Sequence, residues 1–569
     1  MKGAPMIKRI LHFLLVVPFL FLPCLAFAEE PMPTTTDPAP PSSPQRLGGK
    51  EGGRGAMEFK AGEIIVKFGE GISQASIQSL FLTEGVRILD EMGNLGLMLL
   101  SVPRGQELEK IEELKRNSLV EFAEPNYVVR IADPIAIEPQ YSLHAADIIP
   151  NDPRYPGQWN LPRIEAPAAW DITTGSDKVV IAFVDSGVDL DHPELTDKIW
   201  TNTGEIAGND FDDDGNDFKD DVHGWDFVNW HGEPQDDHGH GTFVASIAAA
   251  ETNNDLGMAG VSWGAEIMPI KVFDKDGQFY LWDLTGGITY AADNGARIIN
   301  LSFNWADWSQ ALQAAVNYAY SEGCLLVAAA GDSFDSTYQY PAALEHVVSV
   351  AATDRYDEHP EFSTYNDEVD VAAPGVDILG AWWGVGYGTL SSTHMAVPHV
   401  SGLAALVWSV NLQLTPDEVE NIIESTAVDV GEPGRDDYFG HGRIDAGAAV
   451  MATTHYLQVE PDILPPILVC DGSNPSSQMI TNPGTNSSTW STTAIAPWLS
   501  ISSPEGYTPS SATVSIDKGG LPDYGVYTAP ITATSTMTNH VSNPKTITVT
   551  VNYSSQCWTN YLPLLFKGS

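Results

Sequence analysis

Three short stretches of this sequence carry side chains that can move protons. Asp185 follows the apolar run Val179–Val184, in Val184-Asp185-Ser186-Gly187-Val188-Asp189. His240 stands in Gly239-His240-Gly241-Thr242-Phe243-Val244-Ala245, and His394 in Ser392-Thr393-His394-Met395-Ala396-Val397-Pro398. Carboxylates and imidazoles act as general acids and bases and activate nucleophiles. A fourth stretch, from Asp210 to Asp221, suits a different task. Asp210, Asp212 and Asp214 stand at positions 1, 3 and 5, Gly215 at 6 and Asp221 at 12. This spacing approximates a calcium loop without its terminal Glu. Asp210, Asp212, Asp214 and Asp221 are therefore expected to hold Ca2+.

These groups need elements to hold them. Between residues 150 and 452 apolar runs alternate with helical patterns. Val179–Val184, Ile267–Val272, Arg297–Ser302 and Cys324–Ala330 read as strands buried on both faces. Helical spacing covers 241–251, 308–321, 395–410 and 416–427. The alternation predicts an α/β fold with a doubly wound parallel sheet. Chemistry in such sheets gathers at the carboxyl ends of strands, which is where Asp185 falls.

The rest of the chain divides by composition. Lys8 and Arg9, an apolar run to about Leu22, and Ala26-Phe27-Ala28 predict a signal peptide over 1–28, hence a secreted protein. Residues 29–57 read as a Pro/Ser/Thr/Gly-rich linker. Residues 58–132 mix strands (Glu63–Phe68, Met98–Val102, 121–129) with helices (74–85, 106–116), as a small α+β, ferredoxin-like domain. Residues 456–569 lose charge and alternate, so that Ile547, Val549, Val551 and Tyr553 face one core beside Trp490 and Trp498: a β-sandwich. Cys470 and Cys557 bracket that module and are a disulfide candidate, whereas Cys324 reads as core. After the leader no stretch is apolar enough to be a transmembrane segment. With 75 acidic against 28 basic residues, the net charge of -47 excludes nucleic acid and anionic membranes as partners.

The segments around Asp185, His240 and His394, in that order, resemble those of the subtilisin family, the subtilases. Ala328-Ala329-Ala330-Gly331, Tyr340-Pro341-Ala342, Ala373-Pro374-Gly375 and Gly442-Arg443-Ile444-Asp445-Ala446 extend the resemblance over 150–452. Residues 58–130, notably Ala123-Glu124-Pro125-Asn126-Tyr127-Val128, resemble the family's inhibitory pro-domain. The resemblance implies a serine hydrolase in which Asp185 orients the general base His240. The partners it implies are a polypeptide substrate or peptide ligand and the chain's own pro-domain. It also implies a structural Ca2+ held by Asp152, Glu194 and Asn254. His192 and His399 would be structural. Trp305, Trp308, Trp382 and Trp383 either line the cleft or pack loops.

Three departures from the family pattern converge on the cleft. His394 stands where Gly-Thr-Ser-Met-Ala has its nucleophilic serine. Asp332 replaces the oxyanion asparagine, and a carboxylate there repels developing negative charge. Ser302-Phe303-Asn304 replaces Ser-Leu-Gly along the substrate-cleft wall. The expectation is a serine-type endopeptidase homologue that has lost or impaired its catalysis and acts by binding. Two alternatives stand beside it. One is an active endopeptidase with a non-standard site, using Ser391, Ser392 or Thr393. The other is a metal-dependent hydrolase with Zn2+ on His240 and His394, near Asp185 and Asp332.

Overall fold

The computed structural model describes residues 58–69, 71–131, 135–136, 149–454 and, between 467 and 554, the strands of a C-terminal region with some of their turns. The expected leader 1–28, the linker 29–57 and Cys557 lie outside the described residues.

The N-terminal domain runs β1 (Phe59–Phe68), α1 (Gln74–Glu84), β2 (Arg87–Met92), β3 (Leu97–Ser101), α2 (Glu107–Lys115) and β4 (Val120–Arg130). Neighbouring strands are antiparallel, in the order β2-β3-β1-β4. Successive side chains of a strand point to opposite faces. Ile64 and Val66 therefore pack with Leu80, Ile111 and Leu114 of the two helices. Ile65, Leu97, Leu99 and Phe122 project the other way, into a core shared with the larger domain. The small domain thus buries both faces of its sheet.

After β5 (Ile135–Ala136), the short helices α3 (Asn160–Arg163) and α4 (Ala166–Trp170) lead into the larger domain. Its parallel strands are β6 (Val180–Asp185), β7 (Trp225–Asp226), β8 (Glu266–Lys271), β10 (Ile298–Leu301), β11 (Leu325–Ala329), β12 (Val347–Thr353) and β13 (Val371–Pro374). Their order is β13-β12-β11-β10-β6-β8-β7, with Ile298 level with Ile181 and Leu325. Alternation along β6 divides the interior. Ile181 and Phe183 join the core under α5 (His240–Ala249), α8 (Thr393–Val410), α9 (Pro416–Thr426) and α10 (Ala446–Thr454). Val180, Ala182 and Val184 join the core under α6 (Leu281–Asp293) and α7 (Gln310–Ser321). The edge strand β9 (Gln278–Tyr280) and the hairpin β14 (Ile378–Trp382) and β15 (Gly386–Ser391) flank this sheet.

Helix α6 is absent from the helices that the apolar spacing indicates, and it carries Gly286-Gly287, a residue type that disfavours a helix interior. Packing reverses that preference. A Cβ on Gly286 would lie 2.8 Å from Phe227, and one on Gly287 2.9 Å from Val272, so glycine lets the helix reach the sheet.

The C-terminal strands form sheets of five and three strands. Ile547, Val549, Val551 and Trp498 are buried between them with Val514 and Ile531, and Tyr553 packs at the margin. The side chains of Trp490 and Cys470 lie outside the described residues.

Candidate active site

Asp185 ends β6, and His240 opens α5 after Gly239, whose φ of 104° favours glycine. Gly241 lets this turn close: a Cβ there would sit 2.0 Å from the carbonyl oxygen of Gly187. A residue the motifs did not single out, Asp236, fixes the turn. Its Oδ1 accepts from the N–H groups of His238 (2.9 Å) and Gly239 (2.8 Å) and from Ser186 Oγ (2.9 Å). Its Oδ2 accepts from Thr242 N–H at 3.0 Å. Asp185 and His240 are fully buried, and His240 Nδ1 lies 2.8 and 3.0 Å from the two Asp185 oxygens. Burial works against charge on His240, but the Asp185 carboxylate, with those of Asp236 and Asp332 beyond it, outweighs burial and raises the imidazole above its ordinary value. A buried carboxylate held against an imidazole in this way is an arrangement that can accept and return a proton.

His394 is equally buried, one residue into α8. Its ring stands edge-on to that of His240, with centroids 5.5 Å apart. His394 Nε2 lies 2.9 Å from Asn304 Oδ1, and Asn304 Nδ2 donates to Gln339 Oε1 at 2.9 Å. With Nε2–H donating to an amide oxygen, Nδ1 carries the lone pair. Neither that Nδ1 nor His240 Nε2 has a hydrogen-bond partner among the described residues. Burial depresses His394, so the pair carries its charge on His240.

Both carboxylate oxygens of Asp332 are engaged at the start of α8. Its Oδ1 accepts from the N–H (2.9 Å) and Oγ1–H (2.8 Å) of Thr393, and its Oδ2 from Ser392 Oγ at 2.5 Å. A carboxylate is stabilised at a helix N-terminus, and Asp332 sits at that of α8. Ser392 Oγ in turn accepts from His394 N–H at 3.0 Å. Ser391 Oγ accepts from Asp377 N–H at 2.9 Å. None of the three neighbouring hydroxyls meets His240.

The Ser302 and Phe303 side chains are buried, Ser302 against Asn300 Nδ2 (2.8 Å) and Phe303 among Phe273, Phe279 and Trp305. Only Asn304 turns toward the site. The N-terminal domain reaches the same place. Val128, Val129 and Arg130 of β4 pair with Tyr280, Phe279 and Gln278 of β9, and Ile131 N–H donates to Gly277 O at 3.1 Å. Ile135 and Ala136 then pair with Ser391 and Leu390 of β15. The chain thus brackets the site from both sides. Glu124 caps α7, accepting from Ser309 Oγ (2.9 Å) and Ala311 N–H (2.9 Å), and Asn126 Oδ1 accepts from Trp282 N–H of α6 at 3.1 Å.

The cation candidates separate. Asp152, buried, accepts from Asn253 N–H at 2.9 Å. Glu194, also buried, accepts from Tyr387 OH at 2.7 Å. Burial raises both acids, and the Asp152 charge raises Glu194 further. Asn254 Oδ1 is used locally, by Leu256 N–H at 2.9 Å. The acidic loop brings some of its expected residues together and adds one. Asp212 and Asp214 converge with Glu205, which lies outside the pattern read from the sequence. Asp210 is turned out to solvent, and buried Asp221 accepts from Tyr290 OH (2.6 Å) and Asn202 Nδ2 (3.1 Å). The Zn2+ set is not assembled. Among the described residues, the Glu205 group is where three such ligand atoms converge; Asp185 and Asp332 are spent on His240 and on α8.

His399 engages both ring nitrogens, with Met395 O (2.9 Å) and Asn160 Nδ2 (2.7 Å), and His192 Nε2 lies 3.4 Å from Gly386 O. Trp305 and Trp382 pack against the cores, while Trp308 and Trp383 are half exposed. Cys324 is buried as a free thiol.

Comparison with known proteins agrees with this geometry. Residues 176–442 match the subtilase family, and residues 49–126 match the fervidolysin N-terminal prodomain. The chain is similar to a thermophilic serine proteinase of Bacillus sp. (strain AK1), with 36% identity over 69% of this chain and 88% of that protein. It is similar to thermitase of Thermoactinomyces vulgaris, with 40% identity over 53% of this chain and 99% of thermitase. A halolysin-like extracellular serine protease of Natrialba magadii shares 34% identity over 69% of this chain and 67% of its own.

Proposed function

Because the chain belongs to the subtilase family, we propose that it is a secreted member whose cleft holds polypeptide without cutting it. One observation carries this reading. The side chain at the nucleophile position is an imidazole bonded to the cleft wall through Asn304, and no hydroxyl meets His240 Nε2 among the described residues. Proton transfer from a nucleophile requires hydrogen-bond reach, and a positional error of 1 Å already costs about 10²-fold. The first ligand of the cleft is the chain's own pro-domain, which pairs with β9. An extended peptide would add to the same edge.

Asp152, Glu194 and Asn254 would hold a structural Ca2+. Two raised, buried carboxylates from distant segments are the donor chemistry such an ion takes, and it would tie 152 to 194 and 254.

One feature favours a second reading, a working serine-type endopeptidase. The Asp185–His240 pair is intact at 2.8 Å. Casein and peptide hydrolysis by protein from a protease-deficient host decides between the two. The binding reading expects no turnover and a retained pro-domain. Turnover abolished by His240→Ala would establish the endopeptidase.

A further inference from the structure

The helix that begins beside His394 has its first three N–H groups already committed. Thr393 N–H goes to Asp332 Oδ1 at 2.9 Å, His394 N–H to Ser392 Oγ at 3.0 Å, and Met395 N–H to the Ser392 carbonyl at 3.1 Å. A helix N-terminus binds an anion through the N–H groups that the helix leaves unpaired. The acyl-transfer transition state needs such donors where its oxyanion forms. None remains among these three. The other group at this spot, Asp332, offers oxygen atoms only, and both are taken.

Resting on the family assignment and non-cleaving reading above, we infer that Ser392 and Asp332 lock the oxyanion site independently of His394. Restoring a hydroxyl at 394 alone therefore does not restore peptidase chemistry. The lock is a unit. Ser392 Oγ accepts from the His394 N–H while donating to Asp332, and Asp332 in turn holds Thr393. It leaves Ser392 unable to serve as a replacement nucleophile, because its proton is committed to a carboxylate rather than to His240. Ser392 and Asp332 are positioning residues here. They act through the donors they occupy.

The variants that open the lock should fold. A helix N-cap accepts Ser→Gly at little cost, because glycine is itself tolerated at that position. In Asp332→Asn the side chain keeps one acceptor for Thr393 and gains an N–H pair for the cleft. Losing one oxyanion donor costs on the order of 10²–10³ in kcat, a magnitude known for subtilisin itself. Two blocked donors should therefore cost at least about 10³.

The test compares full-length wild type, His394→Ser, and the triple variant Ser392→Gly/Asp332→Asn/His394→Ser. Each is assayed for peptide hydrolysis and for labelling by a fluorophosphonate, with circular dichroism and melting as fold controls. The expected result is an inert wild type, a triple variant that hydrolyses peptide and takes up the label, and His394→Ser at least about 10³-fold below it. His394→Ser within tenfold of the triple variant, beside an inert wild type, would overturn the lock and leave the non-cleaving reading intact. A folded but inert triple variant would also overturn the lock. Turnover by the wild type through His240 would overturn both.

Discussion

Asp283 should make the grip of the pro-domain depend on pH. This carboxylate lies in the first turn of α6, at a cavity of about 400 Å³ between the two domains. The groups facing it come from several elements. Lys60 and Glu63 of β1 form an ion pair at 3.1 Å, and Lys60 also lies 4.4 Å over the Tyr280 ring. Asp90 of β2 accepts from Trp282 Nε1 at 3.1 Å, and Asp226 of β7 adds a further negative charge. Burial, then Glu63, Asp90 and Asp226, push Asp283 up to about 7, with Lys60 opposing them. Taken against the ordinary carboxylate value of 3.8, the rise is about 3 units, or about 4 kcal/mol at 1.36 kcal/mol per unit. The cavity admits solvent, and about half of that, ~2 kcal/mol, is a realistic penalty. The sign follows from proton uptake on docking. Docking is tightest below the ordinary carboxylate range, weakens as pH rises from about 4 to 7, and is level above that. Ile65, Leu97, Leu99 and Phe122, each worth about 1.5–3 kcal/mol when fully buried, exceed this penalty together, so the seam loosens without opening. Hydrogen exchange on the full chain reads the effect at the amides of Val128–Arg130 and Gln278–Tyr280, corrected for intrinsic rates. Opening should be about tenfold more frequent at pH 8 than at pH 4, where the undocked carboxyl is already more than half ionised. Asp283→Asn should abolish the difference and protect the seam at pH 8. A variant with the parent's pH dependence, or a parent better protected at pH 8, would refute the reasoning.

Two further outcomes are expected. Glu124→Ala should free the N-terminus of α7 and cost about 1–2 kcal/mol, read as faster exchange at Gln310–Leu312; unchanged exchange there would deny the cap its role. Calcium removal should lower Tm by about 5 °C, as binding at 100-fold over Kd contributes about 2.7 kcal/mol, and Glu194→Gln should erase most of that response. An equal response in Glu194→Gln would place the ion elsewhere.

Much of the architecture was legible in order along the chain. The strand over 180–185 and the helices beginning at 240 and 393 stand within a residue or two of the positions that the apolar spacing indicates, because burial of alternate or 3.6-spaced side chains is a local pattern. The three motif residues were legible for the same reason, each falling at a strand end or a helix start. What escaped depended on contacts between distant segments. Gly286-Gly287 breaks a helix in isolation and completes one against Phe227 and Val272. Glu205 enters the acidic group from outside its sequence pattern.

The sequence alone determined which groups meet here: the Asp185 and Asp332 carboxylates and the His240 and His394 imidazoles. Tertiary structure decided what each is free to do. Asp332 and Ser392 are 60 residues apart in the chain, and nothing in either segment reveals that one accepts the other's proton. Hydrogen bonds are short-ranged and directional, so their partners are chosen only when folding brings the segments together.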